Sequence, residues 1–248
     1  MKLHPLSCGW LTGALGGFLE GETGELRVPV LAWLVEHPKG TLVFDAGMHP
    51  AVADDPKARL GFMADFFRVE LGRDETVGAR LRERGVDPGR VDLLVNSHLH
   101  FDHAGGNAEL PNARLVVQRR EWEAGADPDL ARRNAFLRED YDLGHDLDLV
   151  DGEHDVFGDG RVTCIPTHGH TPGHQSLRVR LDSGEVVLSA DACYLRQTLE
   201  DLHLPGVVYD REAMLASLRR LRALRDAGAK IWFGHDPEQW ETLPRVIE

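Results

Sequence analysis

The sequence predicts an α/β fold, and three observations carry that expectation. Short apolar runs of strand length recur in both halves of the chain, separated by turns built on Gly and Pro. One long segment near the C-terminus has the three-to-four-residue apolar rhythm of an amphipathic helix. Finally, several of the apolar runs pass directly into loops bearing His or Asp, where open α/β sheets place their chemistry.

Residues 28–35, with Trp33 among them, form the first expected strand and residues 41–44 the next. His37-Pro38-Lys39-Gly40 supplies the bend between them. Asp74 is placed to cap a helix running to about Arg84, with Val77 and Leu81 on one face and Gly85 as its stop. Asp87-Pro88-Gly89 turns the chain into a strand at 92–96. In the second half, 161–165, 175–181 and 185–188 read as strands, the last two joined by the hairpin turn Asp182-Ser183-Gly184. From 210 to 227, Met214, Leu215, Leu218, Leu221 and Leu224 make the buried stripe of a helix that Gly228 ends. A short strand at 230–233 precedes Gly234-His235-Asp236.

The 248 residues contain no repeat, low-complexity tract or long linker, so one domain over 1–248 is expected. A net charge of −13, from 28 basic and 41 acidic residues with no basic stripe, argues against nucleic acid as a partner. Cys8, Cys164 and Cys193 are odd in number and far apart, which argues against a disulfide framework. The start, Met1-Lys2-Leu3-His4-Pro5, lacks the apolar core of a signal peptide, and no window approaches 18 apolar residues. The expectation is a reducing, cytoplasmic location without a membrane partner.

The densest chemistry lies at His98-Leu99-His100-Phe101-Asp102-His103, directly after Leu93-Leu94-Val95. Three imidazoles and a carboxylate within six positions repel one another when protonated and are costly to bury unless a cation holds them. A divalent metal takes neutral imidazole nitrogen and carboxylate oxygen as ligands. Further candidates are His168-Gly169-His170-Thr171-Pro172-Gly173-His174, Asp191 and His235, each following an apolar strand. Parallel neighbouring strands would bring these loops to one sheet edge.

The pattern His98-x-His100-x-Asp102-His103, the loop Gly169-His170-Thr171-Pro172-Gly173-His174, Asp191 and Gly234-His235-Asp236 together resemble the metallo-β-lactamase superfamily. More narrowly, the stretch from Ser97 to Asn107, Val117-Gln118-Arg119, Gly173-His174-Gln175-Ser176-Leu177 and Phe233-Gly234-His235-Asp236 are similar to the N-acyl homoserine lactonases that quench bacterial quorum signals. The resemblance implies a four-layer αβ/βα sandwich with two mixed sheets flanked by helices and the site between the sheet edges. It implies that His98, His100 and His170 hold one metal, that Asp102, His103 and His235 hold the other, and that Asp191 bridges both. The cofactor would be two divalent ions, zinc first, with cobalt, iron or manganese as alternatives. Hydroxide shared between them would attack the lactone carbonyl. Asp102 would assist the leaving alkoxide, and Tyr194, three residues after Asp191, would donate to the developing oxyanion.

Around these residues, His168 reads as a loop residue and His174 as a hydrogen-bonding group at a strand start. Asp236 either orients His235 or sits in a solvated turn, and Cys193 reads as core. His4, His37, His49, His145, His154 and His203 read as surface or loop histidines. Leu15 to Phe18, Met48 and Phe62-Met63-Ala64-Asp65-Phe66-Phe67 could line an acyl groove, pack into the core or cover the interface of a homodimer. The nearest rival activity is a glyoxalase II-like thioesterase, followed by a broader lactonase, aryl esterase or phosphotriesterase on the same metal site. Zinc β-lactamases fit less well: one group has arginine where this chain has His103, and the other lacks a carboxylate like Asp191. A di-iron redox module would replace His100 with glutamate, and a binding protein that had lost its site would lack some of the seven ligands.

Overall fold

Residues 28–35 are buried without alternation, which is the signature of a strand covered on both faces. In the computed structural model, which describes residues 1–248, they form the middle of β2 in a seven-stranded sheet. This sheet comprises β1 (Lys2–Ala14), β2 (Glu25–His37), β3 (Gly40–Phe44), β4 (Arg68–Glu70), β5 (Leu93–Val95), β6 (Arg114–Gln118) and β7 (Leu147–Val150). Their spatial order is β4-β1-β2-β3-β5-β6-β7, antiparallel from β4 to β3 and parallel from β3 to β7. The second sheet comprises β8 (His154–Asp155), β9 (Val162–Pro166), β10 (Gln175–Leu181), β11 (Gly184–Leu188) and β12 (Lys230–Trp232), in the order β12-β11-β10-β9-β8.

The strands that lead into the ligand loops, β9, β11 and β12, share one direction as expected, but they are not all neighbours. β10 runs antiparallel to both β9 and β11, and only β11 and β12 are parallel neighbours. Because β10 lies between them, β9 and β11 still point the same way. The loops after β9, β11 and β12 therefore leave the sheet at one edge, as the site requires.

The helices are α1 (Leu15–Phe18), α2 (Pro56–Leu60), α3 (Val77–Glu83), α4 (Phe101–Ala104), α5 (Arg119–Ala126), α6 (Pro128–Arg133), α7 (Arg138–Tyr141), α8 (Arg196–Asp201), α9 (Arg211–Asp226) and α10 (Pro237–Thr242), the last packing Trp240 against the core between the sheets. The inner faces of the two sheets meet in one core containing Leu3, Val35, Phe44, Val116, Cys164, Leu177 and Leu188. Trp33 of β2 stacks on Trp232 of β12 across this core, with centroids 5.0 Å apart, a contact worth about 1 kcal/mol beyond the area it buries. Met214, Leu218 and Leu221 of α9 pack on Ile165, Val187 and Ile231 outside the second sheet. Val77 and Leu81 of α3 do the same on Val43, Leu94 and Leu115 outside the first. The result is helix, sheet, sheet, helix, with two mixed sheets.

Several local expectations change. The α3 cap is Thr76, whose hydroxyl accepts from Ala79 N at 3.3 Å, so Asp74 lies outside the helix. β1 escapes sequence patterning because Gly9, with φ of +99°, sits at a register shift between Ser7 and Trp10. His4 and His37 are buried rather than surface groups. His4 lies within β1 and meets Glu36 at 2.7 Å, while His37 stacks on Phe157 and reaches Asp159 at 3.0 Å. Met48 is core, which removes it from any acyl groove.

Candidate metal centre

The loop after β5 carries His98, His100, Asp102 and His103, and α4 places the last two on adjacent helical positions. The loop between β9 and β10 brings His170, the turn after β11 brings Asp191, and the loop after β12 brings His235. All seven expected residues converge on the seam between the sheets, in two groups. Ligand atoms of His98, His100, His170 and Asp191 lie within 4.8 Å of one another, as do those of Asp102, His103 and His235. Six of the seven are buried and His100 is half-buried.

In the first group, His100 Nδ1 lies 2.9 Å from His98 Nε2 and 3.0 Å from His170 Nε2. Tetrahedral zinc with nitrogen ligands at 2.0–2.1 Å gives ligand–ligand edges of about 3.3 Å, close to these separations. In the second group, His103 Nε2 and His235 Nε2 each lie 3.7 Å from Asp102 Oδ2. Asp191 reaches both groups. Its Oδ1 is 3.1 Å from His103 Nε2 and from His235 Nε2, and its Oδ2 is 3.3 Å from His170 Nε2 and 3.7 Å from His98 Nε2.

The remaining nitrogen of each ring is held from behind, which fixes how the ring presents itself. His100 Nε2 donates to Asn134 O at 2.8 Å and His235 Nδ1 to Pro29 O at 2.8 Å. Carbonyls only accept, so in the neutral form the inward nitrogens of these two rings carry lone pairs. His103 Nδ1 donates to Asp45 Oδ2 at 2.8 Å, and Asp45 also accepts from Ser97 N and Ser97 Oγ, both at 2.7 Å. Ser97 Oγ meets His98 Nδ1 at 2.9 Å, and Tyr194 Oη meets His170 Nδ1 at 3.2 Å. Asp45 thus steadies one ring of each group.

Burial and neighbouring imidazoles push His98 and His170 well below the usual imidazole range. Burial also opposes protonation of His103 and His235. At His103, Asp191, Asp102 and Asp45 outweigh that cost and hold it well above the usual range, while Asp191 raises His235. Three buried carboxylates around two imidazoles leave negative charge that a cation would offset. His103 Nε2 and Asp191 Oδ1 are, moreover, buried and 3.1 Å apart without an aligned hydrogen bond. Lone pairs aimed at a common point fit a pair of divalent cations better than they fit one another.

Two backbone features make the geometry attainable. Ala190, just before Asp191, adopts φ of +44°, a conformation costing about 1 kcal/mol or more outside glycine. A Cβ on Gly234 would lie 2.5 Å from Ala190 O and 3.1 Å from Asp191 Oδ1, so the β12 loop closes on Asp191 only because that side chain is missing.

His174 has the hydrogen-bonding place expected of it. Its Nε2 accepts from Asp191 N at 3.1 Å, and its Nδ1 meets Thr167 Oγ1 at 3.0 Å. His168 stays out of the centre, with Nδ1 on His174 O. Asp236 neither touches the His235 ring nor lies in solvent. It is buried, caps α10 through Gln239 N at 2.8 Å and accepts from Arg196 N at 2.9 Å. Cys193 is core. Tyr194 is buried beside the centre, edge-on to Phe18 at 5.7 Å. The sequence reading missed Asp45, Glu121, Asn134 and Pro29. Asp45 and Glu121 are buried acids at a strand end and in a helix's first turn, whereas Asn134 and Pro29 act through backbone carbonyls and leave no side-chain signal.

A metallo-beta-lactamase superfamily model matches residues 26–235, which span every strand from β2 to β12 and all seven clustered residues. This chain belongs to that superfamily. It is 36% identical over 237 residues to the N-acyl homoserine lactonase AttM of Azorhizobium caulinodans, covering 92% of this chain and 89% of the relative. It is 32% identical to the N-acyl homoserine lactonase AiiA of Bacillus thuringiensis subsp. kurstaki over 217 residues, covering 86% and 84%. A solved N-acyl homoserine lactone hydrolase, with N-hexanoyl-L-homoserine bound at its catalytic metal centre, superposes with a TM-score of 0.88 at 28% identity. That match covers 98% of this chain and 96% of the other. Together with its likeness to hydrolytic lactonases, the two clustered sets of metal-binding side chains make this protein a metal-dependent hydrolase.

Proposed function

We propose that this hydrolase opens the lactone ring of N-acyl homoserine lactones on a two-cation centre. In this reading His98, His100 and His170 hold one ion, Asp102, His103 and His235 hold the other, and Asp191 serves both. The observation that carries it is the division of Asp191, with Oδ1 turned to His103 and His235 and Oδ2 to His170 and His98. Zinc suits the His-rich donors, and cobalt, iron or manganese would be accepted by the same set. The substrate class rests on the two lactonases and the product-bound hydrolase that this chain resembles.

When bound, divalent cations at such a site polarise the substrate carbonyl and bring a water's pKa toward neutrality. The chain's residues do the rest. Tyr194 Oη accepts from His170 Nδ1, which leaves its own O–H free to donate to the carbonyl oxygen as negative charge builds there. Asp102, beside His103 and His235 and marginally solvent-accessible, would take the proton that the attacking water gives up and pass it to the ring oxygen as the C–O bond breaks. Cys193 takes no part: its buried thiol is pushed well above its usual range and faces Leu195 O. No helix is long and apolar enough to cross a membrane. The reading places the enzyme in the cytoplasm, acting on a diffusible small molecule without nucleic acid. Exposed Phe62 and Phe66 would meet its acyl chain or the face of a homodimer.

Proton release measured on metal-analysed protein tests the substrate. Homoserine lactones of four to twelve acyl carbons are compared with simple γ- and δ-lactones and with an acyl thioester. The expected order puts homoserine lactones first by at least about tenfold in kcat/KM. Preference for the thioester would overturn the reading in favour of a glyoxalase II-like activity.

A further inference from the structure

Glu121 stands in the first turn of α5, completely buried, and every hydrogen bond it accepts comes from an uncharged group. Burying a carboxyl group without a cationic partner is costly, so its position needs a return. That return spans the seam between the sheets. Oε1 accepts from Leu99 N at 3.2 Å, and Leu99 stands between His98 and His100 in the loop after β5. Oε2 accepts from Thr171 Oγ1 at 3.0 Å and from Gly173 N at 2.6 Å, directly past His170 in the loop after β9. A Cβ on Gly173 would lie 2.3 Å from Glu121 N, so that loop sits flush on the helix. Asp102, His103 and His235 receive no bond from Glu121.

We propose that Glu121 is a positioning residue that clamps the His98–His100 loop of one sheet to the His170 loop of the other, setting the spacing of the three-imidazole half of the centre. The proposal rests on the two-cation reading above. It adds that the two halves are held by different buried carboxylates: Glu121 ties together the loops of the three-imidazole half only, whereas Asp45 holds the His103 ring of the other half directly. Glu121→Gln replaces one acceptor with an amide NH2 that faces a backbone N–H, leaving a donor unsatisfied and the loops free to separate. Thr171→Val removes a single bond at nearly constant shape.

The test is metal binding rather than turnover. Stripped wild-type, Glu121→Gln and Thr171→Val proteins are titrated with cobalt(II) against a competing chelator. Visible absorption and elemental analysis report each site. Wild type is expected to take two ions. Glu121→Gln should hold one normally and the other about 10–100-fold more weakly, as loss of a residue that orients ligands typically does. Thr171→Val should show a smaller, few-fold loss at the same site, and the metal-free proteins should keep the wild-type circular dichroism spectrum. Equal weakening of both sites, or wild-type affinity at both, would overturn the proposal. Should Glu121→Gln fail to fold, Thr171→Val decides, and unchanged affinity there counts against the clamp. Wild-type protein that takes up no cation would instead bring down the two-cation reading on which the clamp depends. A wild type that binds two ions but opens no lactone would leave the clamp standing and remove only the substrate.

Discussion

The metal centre and the segment at 50–70 lie side by side and are built on opposite principles. At the centre, each of the five clustered imidazoles has its outward nitrogen tied to a named partner, and both sheets contribute loops. The 50–70 segment consists of two 3-10 turns, the five-residue α2 and the three-residue β4, which pairs with β1 only from Trp10 to Thr12. It leaves Phe62 57% and Phe66 66% exposed. The two regions meet where Phe67 approaches Phe101, between His100 and Asp102, at 6.2 Å. Rigid anchoring suits the bond-breaking step, which tolerates little misplacement. Sparse anchoring suits contact with a variable part of the substrate. Under the proposed function, the difference assigns reaction type to the rigid seam and acyl contact to the sparsely anchored segment.

Substitutions can break that comparison. The largest effect is expected at Asp191, which serves both groups. Asp191→Asn should cut kcat/KM by roughly 10³-fold or more and bring metal content below two per chain. Near-normal turnover with two ions bound would show that the carboxylate is not shared. Tyr194→Phe should lower kcat by about 10²-fold with two ions still bound at saturating metal, since it removes the oxyanion donor and the acceptor of His170 Nδ1 but no ligand. Equal activity would take Tyr194 out of the mechanism.

Changes in the 50–70 segment should be smaller and of another kind. Phe62→Ala with Phe66→Ala should leave kcat alone and raise KM a few-fold for long acyl chains, because each buried CH2 contributes about 0.8 kcal/mol. A response that is flat from four to twelve carbons would remove these rings from the groove and leave the homodimer face to be tested by sedimentation.

The smallest effect on catalysis is expected where Arg59 of α2 meets Asp140 of α7 and ties the segment down. Burial raises the Asp140 carboxyl to about 7, against the pull of Arg59. An unfolded aspartate releases its proton near pH 4. The folded chain therefore binds the extra proton between about pH 4 and 7, and stability falls as pH rises through that window. Asp140→Asn should flatten that fall in melting temperature between pH 5 and 8 with activity unchanged. Parallel pH profiles for the two proteins would mean that Asp140 stays ionised throughout.

The same contrast governs what could be read from the sequence. The cluster at 98–103 was legible because metal ligands are few in type and tightly spaced, and Asp191 and His235 because they follow strands; the choice of His170 over His168 and His174 came from the family resemblance. Strands 28–35 and 175–181 and the α9 helix were legible from apolar periodicity. The antiparallel pairing of 175–181 with 185–188 was legible from the hairpin turn Asp182-Ser183-Gly184, whereas the place of β10 between β9 and β11 was not, since apolar runs do not encode strand order. Asn134 and Pro29 act through carbonyls that every residue possesses, so no side chain marks them. Glu121 and Asp45 look like surface acids until the fold buries them. The 62–67 run was ambiguous because its rings divide their roles: Phe67 packs inward while Phe62 and Phe66 face solvent.

The central claim, that catalysis depends on two cations held at one seam, is tested most directly by stripping and reloading the protein while following ring opening of a homoserine lactone. Two equivalents of metal per chain, loss of activity on verified removal and recovery that tracks the return of both equivalents are the predicted result. Undiminished ring opening by fully metal-free protein would contradict it.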